Sequence, residues 1–213
     1  ASTTTLPAES NADLQVIRAN LKAIEHRDLE IEKGDTFLAK GDIDTAIACY
    51  TAAIRLDPKS IDAFYKRGTS FSLKGNIDRE MADYANILQL DATNTATFNR
   101  RGMAFANMNA FDLAISNYSE AIRINPSFAE AYNNRALAYA NQGQIEKSIV
   151  DLTQAIKVDS ESTNTYFNRA VMFNNSGQFD KAIADYTETI RIDDQHEMAY
   201  MNRAEIHIGQ KRF

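Results

Sequence analysis

Apolar and small residues recur along most of the chain at the three- and four-residue spacing of an amphipathic α-helix. The pattern is interrupted at short intervals by glycine or asparagine, or by an Asp-Pro or Asn-Pro pair. Glycine and asparagine accept the left-handed conformation just past a helix end, and proline cannot continue a helix. The sequence therefore predicts an all-α protein built of short helices joined by tight turns.

These predicted helices repeat in pairs with a fixed period. The similar segments FNRRGMAF, YNNRALAY, YFNRAVMF and YMNRAEIH carry Arg101, Arg135, Arg169 and Arg203. Successive arginines are 34 positions apart (135 − 101 = 34), and the same frame extends back to Arg67 and Lys33. The frame divides the chain into a flexible tail (1–10), an N-terminal capping helix (11–26), five repeats (27–60, 61–94, 95–128, 129–162 and 163–196), and the first helix of a sixth repeat or a C-terminal cap (197–213).

Recurring columns define the packing face of each pair. In the first helices a small residue occupies one column: Gly34, Gly68, Gly102, Ala136, Ala170 and Ala204. Three places later the residue is aromatic: Phe37, Phe71, Phe105, Tyr139, Phe173 and His207. The second helices share a large residue: Tyr50, Tyr84, Tyr118, Leu152 and Tyr186. Small residues let a neighbouring helix approach closely, so these columns predict tight pairing of the two helices.

This pattern of small residue, aromatic residue, turn glycine, alanine, tyrosine and proline at 34-residue spacing resembles the tetratricopeptide repeat over residues 27 to 213. The resemblance implies a right-handed superhelical solenoid of stacked helix-turn-helix units. Glu80 departs from it, because it stands where the second helix should be small. Leu14, Ile17, Leu21 and Ile24 recur at helical spacing, so we expect residues 11–26 to act as a degenerate half-repeat that caps the N-terminal end.

Composition narrows the classes of partner. The net charge is −6 and the basic residues are scattered, which argues against nucleic acid as a partner. The chain lacks the roughly 18 consecutive apolar residues of a membrane span, which argues against membrane insertion. The compartment stays open: cytoplasmic, or extracytoplasmic if Ala1 follows a removed signal peptide.

The sequence carries no arrangement typical of catalysis, metal binding or cofactor binding. His26, His196 and His207 do not show the paired spacing of a helical zinc site. Cys49, the single cysteine, has no histidine beside it, and the chain lacks a glycine-rich phosphate loop. We therefore expect no catalytic residue, no metal, no cofactor and no intrinsic enzyme activity.

A second stripe on each first helix lies about 160 to 200° from the packing stripe, at about 100° per residue. In the tetratricopeptide family this face lines a concave groove. One of its columns then forms a ladder across the repeats: Glu32, Lys66, Arg100, Asn134, Asn168 and Asn202. Two further columns flank it: Met103, Leu137 and Val171 form an apolar strip, and Asn99, Asn133 and Phe167 stand alongside. The predicted peptide-binding set is Lys66, Asn99, Arg100, Met103, Asn133, Asn134, Leu137, Phe167, Asn168, Val171 and Asn202.

An asparagine side chain both donates and accepts, so it can bond one backbone peptide unit of a bound strand. The three identical rungs resemble the asparagine ladder in the repeat domain of O-linked N-acetylglucosamine transferase and the groove asparagines of the peroxisomal import receptor. The carboxylate clamp of the chaperone-adaptor members is not matched, because Ile31 and Asp35 stand at its leading places. The predicted function is therefore a scaffold or adaptor that binds an extended peptide of a partner protein.

Three alternatives stay open at the level of sequence. They are an inert groove, a structural module that self-associates through its exposed ends or its convex face, and a targeting or repeat segment of a longer protein or enzyme. The neighbouring arginine column is expected to be structural, because Asp83, Asp151 and Asp185 recur where an inter-helix ion pair would need them.

Overall fold

The computed structural model describes residues 11–210, with side chains from Leu14 onward. The predicted tail over residues 1–10 and the last three residues lie outside this range. The chain divides between Ala92 and Thr93 into two compact units.

Eleven α-helices and no strands make up the described residues. The first unit contains α1 (Asn11–Ala39), α2 (Ile43–Leu56), α3 (Ile61–Leu73) and α4 (Ile77–Leu90). The second contains α5 (Thr95–Asn107), α6 (Phe111–Ile124), α7 (Ala129–Asn141), α8 (Ile145–Val158), α9 (Thr163–Asn175), α10 (Phe179–Ile192) and α11 (Glu197–Gln210). Within each unit consecutive helices pack as helix-turn-helix pairs, which is the predicted all-α repeat architecture.

The N-terminal helix differs from the expectation. A separate capping helix over residues 11–26 is not present, because α1 runs without a break from Asn11 to Ala39. The apolar side chains at Leu14, Ile17, Leu21 and Ile24 are 40%, 44%, 53% and 42% exposed, so this segment does not fold back over the first repeat. Charged and polar residues join the segment to the first repeat without a glycine or proline to turn the chain, which allows the helix to continue.

The turns inside the pairs form where the sequence places them. Gly41, Gly75, Gly143 and Gly177 have positive φ angles between 67° and 80°, and Asn109 adopts 58° at the equivalent place. These are left-handed conformations that glycine and asparagine tolerate best. Each turn residue therefore fixes the antiparallel return of the following helix.

The core of each pair is the contact predicted from the small and large columns. A Cβ atom added to Gly102 would lie 2.5 Å from Cε1 of Tyr118, so a larger residue would require the ring or the helix to shift. Ala170 and Tyr186 are both fully buried in the same apolar cluster. Glu80 is also buried, although the column it occupies is otherwise small.

The arginine column is structural, as predicted. Arg135 on α7 donates from Nε and Nη2 to both carboxylate oxygens of Asp151 on α8, at 2.7 and 2.8 Å. Its Nη1 donates to Ser119 of the preceding repeat at 2.9 Å. Arg67 with Asp83 and Arg169 with Asp185 form the same two-point contact. These pairs link the two helices of a repeat, and the Ser119 contact links adjacent repeats.

Candidate functional site

The face opposite the packing columns is continuous across α5, α7 and α9 of the second unit. Helix α5 contacts α7, and α7 contacts α9, so the first helices of successive repeats lie side by side. This brings the ladder residues Asn134 on α7 and Asn168 on α9 onto neighbouring helices. We call the face formed by the outward stripes of α5, α7, α9 and α11 the groove face.

The ladder asparagines are held by asparagines of the preceding repeat. Nδ2 of Asn134 donates to Oδ1 of Asn99 at 3.0 Å, and Nδ2 of Asn168 donates to Oδ1 of Asn133 at the same distance. Each ladder side chain keeps its carbonyl oxygen and one amide hydrogen for other partners, because a carboxamide has two donor hydrogens and two acceptor lone pairs. The arrangement therefore orients two amide groups and leaves a large part of their hydrogen-bonding capacity unused.

Asn99 lies deeper than the sequence pattern suggests. Asn99 is 2% exposed, and its Nδ2 donates to Oε1 of Glu130 at 3.0 Å. Because it is enclosed and uses both ends of its carboxamide, Asn99 positions Asn134 and is not itself accessible to a ligand. Asn133 is half-buried and does the same for Asn168 while keeping part of its surface.

The third rung has a different partner. Asn202 on α11 donates from Nδ2 to the hydroxyl of Tyr186 at 3.1 Å. The position that supplies Asn99 and Asn133 in earlier repeats is Phe167, which has no polar group to offer. The Phe167 ring instead packs 5.8 Å from the Tyr186 ring and 4.7 Å from the His196 ring, measured between centroids.

The predicted apolar strip is only partly accessible. Leu137 is 36% exposed. Met103 and Val171 are half-buried and pack against the apolar clusters beneath them. Leu137 is therefore the member of the strip that presents most surface to a ligand.

A concavity of about 320 Å³ opens between α5, α6 and α7. Three predicted residues line it, namely Met103, Asn134 and Leu137. Ala106, Phe111, Tyr118, Ala138 and three further asparagines (Asn107, Asn109 and Asn141) complete the lining. We call this concavity the α5–α7 pocket.

The two basic members of the predicted set lie in different units. In the first unit Nζ of Lys66 is 2.9 Å from both carboxylate oxygens of Asp35, which also accepts from the hydroxyl of Tyr50. The charge of Lys66 is thus already neutralised inside that unit. Arg100, in the second unit, is half-buried on α5. Lys66 would therefore attract an acidic ligand less strongly than an unpaired lysine would.

No group of three His, Cys, Asp or Glu side chains between residues 14 and 210 is placed to hold a metal ion. Burial raises the pKa of the Cys49 thiol, which disfavours the reactive thiolate form. Across the same part of the chain, none of the helices combines the length and apolarity needed to cross a bilayer.

Sequence-family models match most of the repeats. The model described as TPR repeat matches residues 34–75 and 102–143, and two models described as Tetratricopeptide repeat match 129–162 and 163–196. The chain belongs to the tetratricopeptide-repeat family. Members of this family are generally interaction modules that bind protein or peptide partners. No curated protein sequence gives a significant match to the chain.

Several solved structures share this tetratricopeptide fold. MamA is 22% identical with a TM-score of 0.68, and the match covers 78% of this chain and 96% of MamA. A thermophilic TPR protein of Thermus thermophilus is 18% identical with a TM-score of 0.67, covering 85% and 99% of the two chains. YrrB, described as a TPR protein with an unusual peptide-binding site, is 20% identical with a TM-score of 0.65, covering 87% and 98%. At these identities the likeness establishes the fold.

The sequence identifies the ladder column but not the bonds that hold it. The recurrence of asparagine at positions 99 and 133 is the sequence signal for this support. Each residue directly precedes a ladder position in its own repeat and bonds to the ladder asparagine of the next repeat. The second feature that sequence reasoning missed is Tyr118, which the column pattern assigns to the core and which also lines the α5–α7 pocket.

Proposed function

We propose that the second unit is a non-catalytic scaffold or adaptor that binds an extended peptide segment of a partner protein along the groove face. The observation that carries this proposal is the pair of asparagine–asparagine bonds from Asn134 to Asn99 and from Asn168 to Asn133. Side chains fixed before binding lose little conformational entropy when a ligand arrives, so such rungs favour binding.

The spacing of the rungs suits an extended chain. Packed helices lie about 8 to 10 Å apart, and an extended peptide advances about 3.3 Å per residue. One rung would therefore meet about every third residue of the ligand. Each rung would accept from a ligand N–H through Oδ1 and donate to a ligand carbonyl through Nδ2. Ligand side chains that fall between two ladder asparagines would contact Leu137 and the exposed parts of Met103 and Val171.

Two features outside the ladder support a peptide ligand. The family binds protein or peptide partners, and YrrB, which shares the fold, is described as having a peptide-binding site. The groove face of the second unit also combines amide groups with apolar side chains, which is the combination that backbone recognition with side-chain pockets requires.

The test is selection of linear peptides from a displayed random library, followed by titration of a selected peptide against variants. We expect the triple change of Asn134, Asn168 and Asn202 to alanine to weaken binding by roughly 0.5 to 1.5 kcal/mol per lost site. Asn86→Ala serves as a control, because its side chain lies on α4 in the first unit, outside the groove face. A folded triple variant with unchanged affinity would exclude the ladder as the binding element.

A second candidate function is self-association, which the exposed apolar side chains of α1 favour. Leu14, Ile17, Leu21 and Ile24 follow the three- and four-residue spacing of a helix–helix seam and are each at least 40% exposed. Sedimentation velocity at several concentrations, with Ile17→Glu and Leu21→Glu as variants, tests it. A monomer at every concentration would exclude this function.

A further inference from the structure

We infer that the α5–α7 pocket is a specificity pocket that binds a neutral carboxamide side chain, of the glutamine type, with the hydroxyl of Tyr118 as its hydrogen-bond donor. The inference deepens the proposed function, because it names the side chain that a groove-bound peptide would insert. It stands on the pocket itself and does not require that the asparagine ladder be used.

Tyr118 supplies an unused polar group to the pocket. Its side chain is 2% exposed and lines the cavity, yet its hydroxyl makes no hydrogen bond with any residue that the structure describes. Ser148 Oγ is the one fully enclosed side-chain oxygen or nitrogen without a partner in the described chain, so the Tyr118 oxygen keeps access to the cavity. Burial raises the pKa of this phenol, so it stays protonated and acts as a donor. A ligand oxygen that enters the cavity could therefore accept a hydrogen bond from this hydroxyl.

The comparison with other repeats explains why the hydroxyl is unused. Tyr186, the equivalent of Tyr118 two repeats later, accepts a hydrogen bond from Asn202. Asn134 is the equivalent of Asn202, but it bonds to Asn99 of the preceding repeat instead of to Tyr118. Asn202 has no such partner, because Phe167 occupies the position equivalent to Asn99. The bond that orients the ladder rung thus also leaves the Tyr118 hydroxyl without a partner.

The same place in the intervening repeat is filled. Leu152 replaces Tyr118 and Met172 replaces Ala138 there, and both pack in one apolar cluster. That position therefore has no hydroxyl and little room. At the last repeat Ile206 replaces Ala138 and Glu205 replaces Leu137, so a carboxylate and a larger apolar side chain line the neighbouring concavity. The α5–α7 pocket is thus chemically distinct from its two counterparts.

The lining selects a neutral amide over a charged group. None of the residues lining the cavity carries a charge, so a carboxylate or an ammonium group would be desolvated without a counter-ion. The walls formed by Met103, Leu137 and Phe111 would contact the methylene groups of a glutamine side chain. Its carbonyl would accept from Tyr118, and its NH₂ group would donate to the free Oδ1 of Asn134 or Asn141. Both oxygens are open, because Asn134 and Asn141 use Nδ2 in their internal bonds.

The pocket can be tested without knowledge of the partner. The probes are N-acetyl-glutamine methylamide and its glutamate and norleucine counterparts, titrated against the chain at neutral pH and followed by NMR of labelled backbone amides. For a ligand of this size we expect a dissociation constant of about 1 mM, with shifts centred on α5–α7 residues. We expect the glutamate and norleucine probes to bind at least about threefold more weakly.

Two variants of the chain sharpen the test. Tyr118→Phe retains the ring and removes only the donor, so it should weaken the glutamine probe by about three- to tenfold and leave the norleucine probe unchanged. Ala138→Met copies the filled counterpart and should block all three probes. Tyr139→Phe is the matched control, since it removes a phenol of the same unit that does not line the pocket.

Some outcomes would overturn the inference. They are equal binding of the three probes, an unchanged glutamine affinity in folded Tyr118→Phe, and shifts located away from α5–α7. Tighter binding of the glutamate probe would show that the pocket takes a carboxylate, which also contradicts it. Failure of the ladder is measured separately, because Asn168→Ala with Asn202→Ala changes no residue of this pocket and should leave the glutamine probe unaffected.

Discussion

The side chain of Asn134 on α7 is oriented by Asn99 on α5 through a 3.0 Å bond from Nδ2 to Oδ1, and Asn99 is itself 2% exposed. A groove residue is therefore fixed by an enclosed residue of the preceding repeat. Because Asn99 also donates to Glu130, the chain of bonds runs from α7 to α5 and back to the start of α7. Stability and the geometry of the groove face depend on the same side chain.

The first prediction concerns this positioning residue. Asn99→Ala removes the acceptor of Asn134 and the donor to Glu130, and we expect it to lower the free energy of unfolding by about 1 to 3 kcal/mol. Urea denaturation followed by circular dichroism measures the change. Asn133 is the equivalent residue of the next repeat and is only half-buried, so Asn133→Ala should lower the free energy of unfolding by less. Equal losses for the two variants would contradict the distinction between an enclosed and an open support.

The second prediction concerns the two-point ion pair of Arg135 and Asp151, whose side chains are 18% and 6% exposed. Asp151→Asn keeps the shape but leaves the guanidinium without its carboxylate. We expect a loss of about 3 kcal/mol or more in the free energy of unfolding, because breaking an enclosed pair leaves an uncompensated charge. The control is Asp44→Asn, whose partner Lys74 is exposed, and it should change stability by less than about 1 kcal/mol.

The third prediction concerns Arg101, which belongs to the arginine column of the second unit. Where Arg135 and Arg169 face an aspartate, Arg101 faces the amide of Asn117. Nε of Arg101 donates to Oδ1 of Asn117 at 2.6 Å, and burial lowers the pKa of this guanidinium. Asn117→Asp would supply the carboxylate found in neighbouring repeats. We expect a gain of about 1 kcal/mol in unfolding free energy at neutral pH, since charge-assisted bonds are stronger than neutral ones. Urea denaturation measures it, and a folded variant of lower stability would show that desolvation of the new carboxylate dominates.

The sequence predicts the fold well because the residue types that recur in the repeat are each compatible with few local conformations. A small residue over a tyrosine, as at Gly102 and Tyr118, and a glycine at a positive φ, as at Gly143, each specify one local structure. The candidate site is less predictable because its side-chain bonds depend on which neighbour lies in reach. Asn134 and Asn202 occupy one column, yet they bond to Asn99 and Tyr186 respectively. The continuity of α1 is hidden for a related reason: helical periodicity in residues 11–26 does not reveal whether a turn follows.

The fourth prediction concerns acid sensitivity of the first unit. Nη1 of Arg27 donates to Oδ2 of Asp57 at 2.7 Å, and this hydrogen bond lowers the pKa of Asp57 below its ordinary value of 3.8. A carboxylate with a lowered folded-state pKa contributes stability that is present above its unfolded pKa, and that contribution is lost as the pH falls through the lower folded-state value. We expect Arg27→Gln to reduce the loss of stability between about pH 4 and pH 2. Urea denaturation across this range measures it, and an unchanged slope would contradict the assignment.

The fifth prediction concerns the close approach of Gly102 to Tyr118. Replacing a glycine by alanine in a helix interior normally favours the helix by roughly 0.5 to 1 kcal/mol. At Gly102 the new Cβ would lie 2.5 Å from Cε1 of an enclosed ring, so the ring or the helix must move. We expect Gly102→Ala to destabilise the chain by about 1 to 3 kcal/mol, the usual range for overpacking. Gly209→Ala is the control, because nothing lies within 4 Å of its added Cβ, and it should be neutral or slightly stabilising.

Since Tyr118 also lines the α5–α7 pocket, displacement of its ring by Gly102→Ala should alter the NMR signals of the backbone amides around the pocket. A stabilised Gly102→Ala with unchanged pocket signals would show that the new Cβ is accommodated without displacing the ring, and would contradict this prediction.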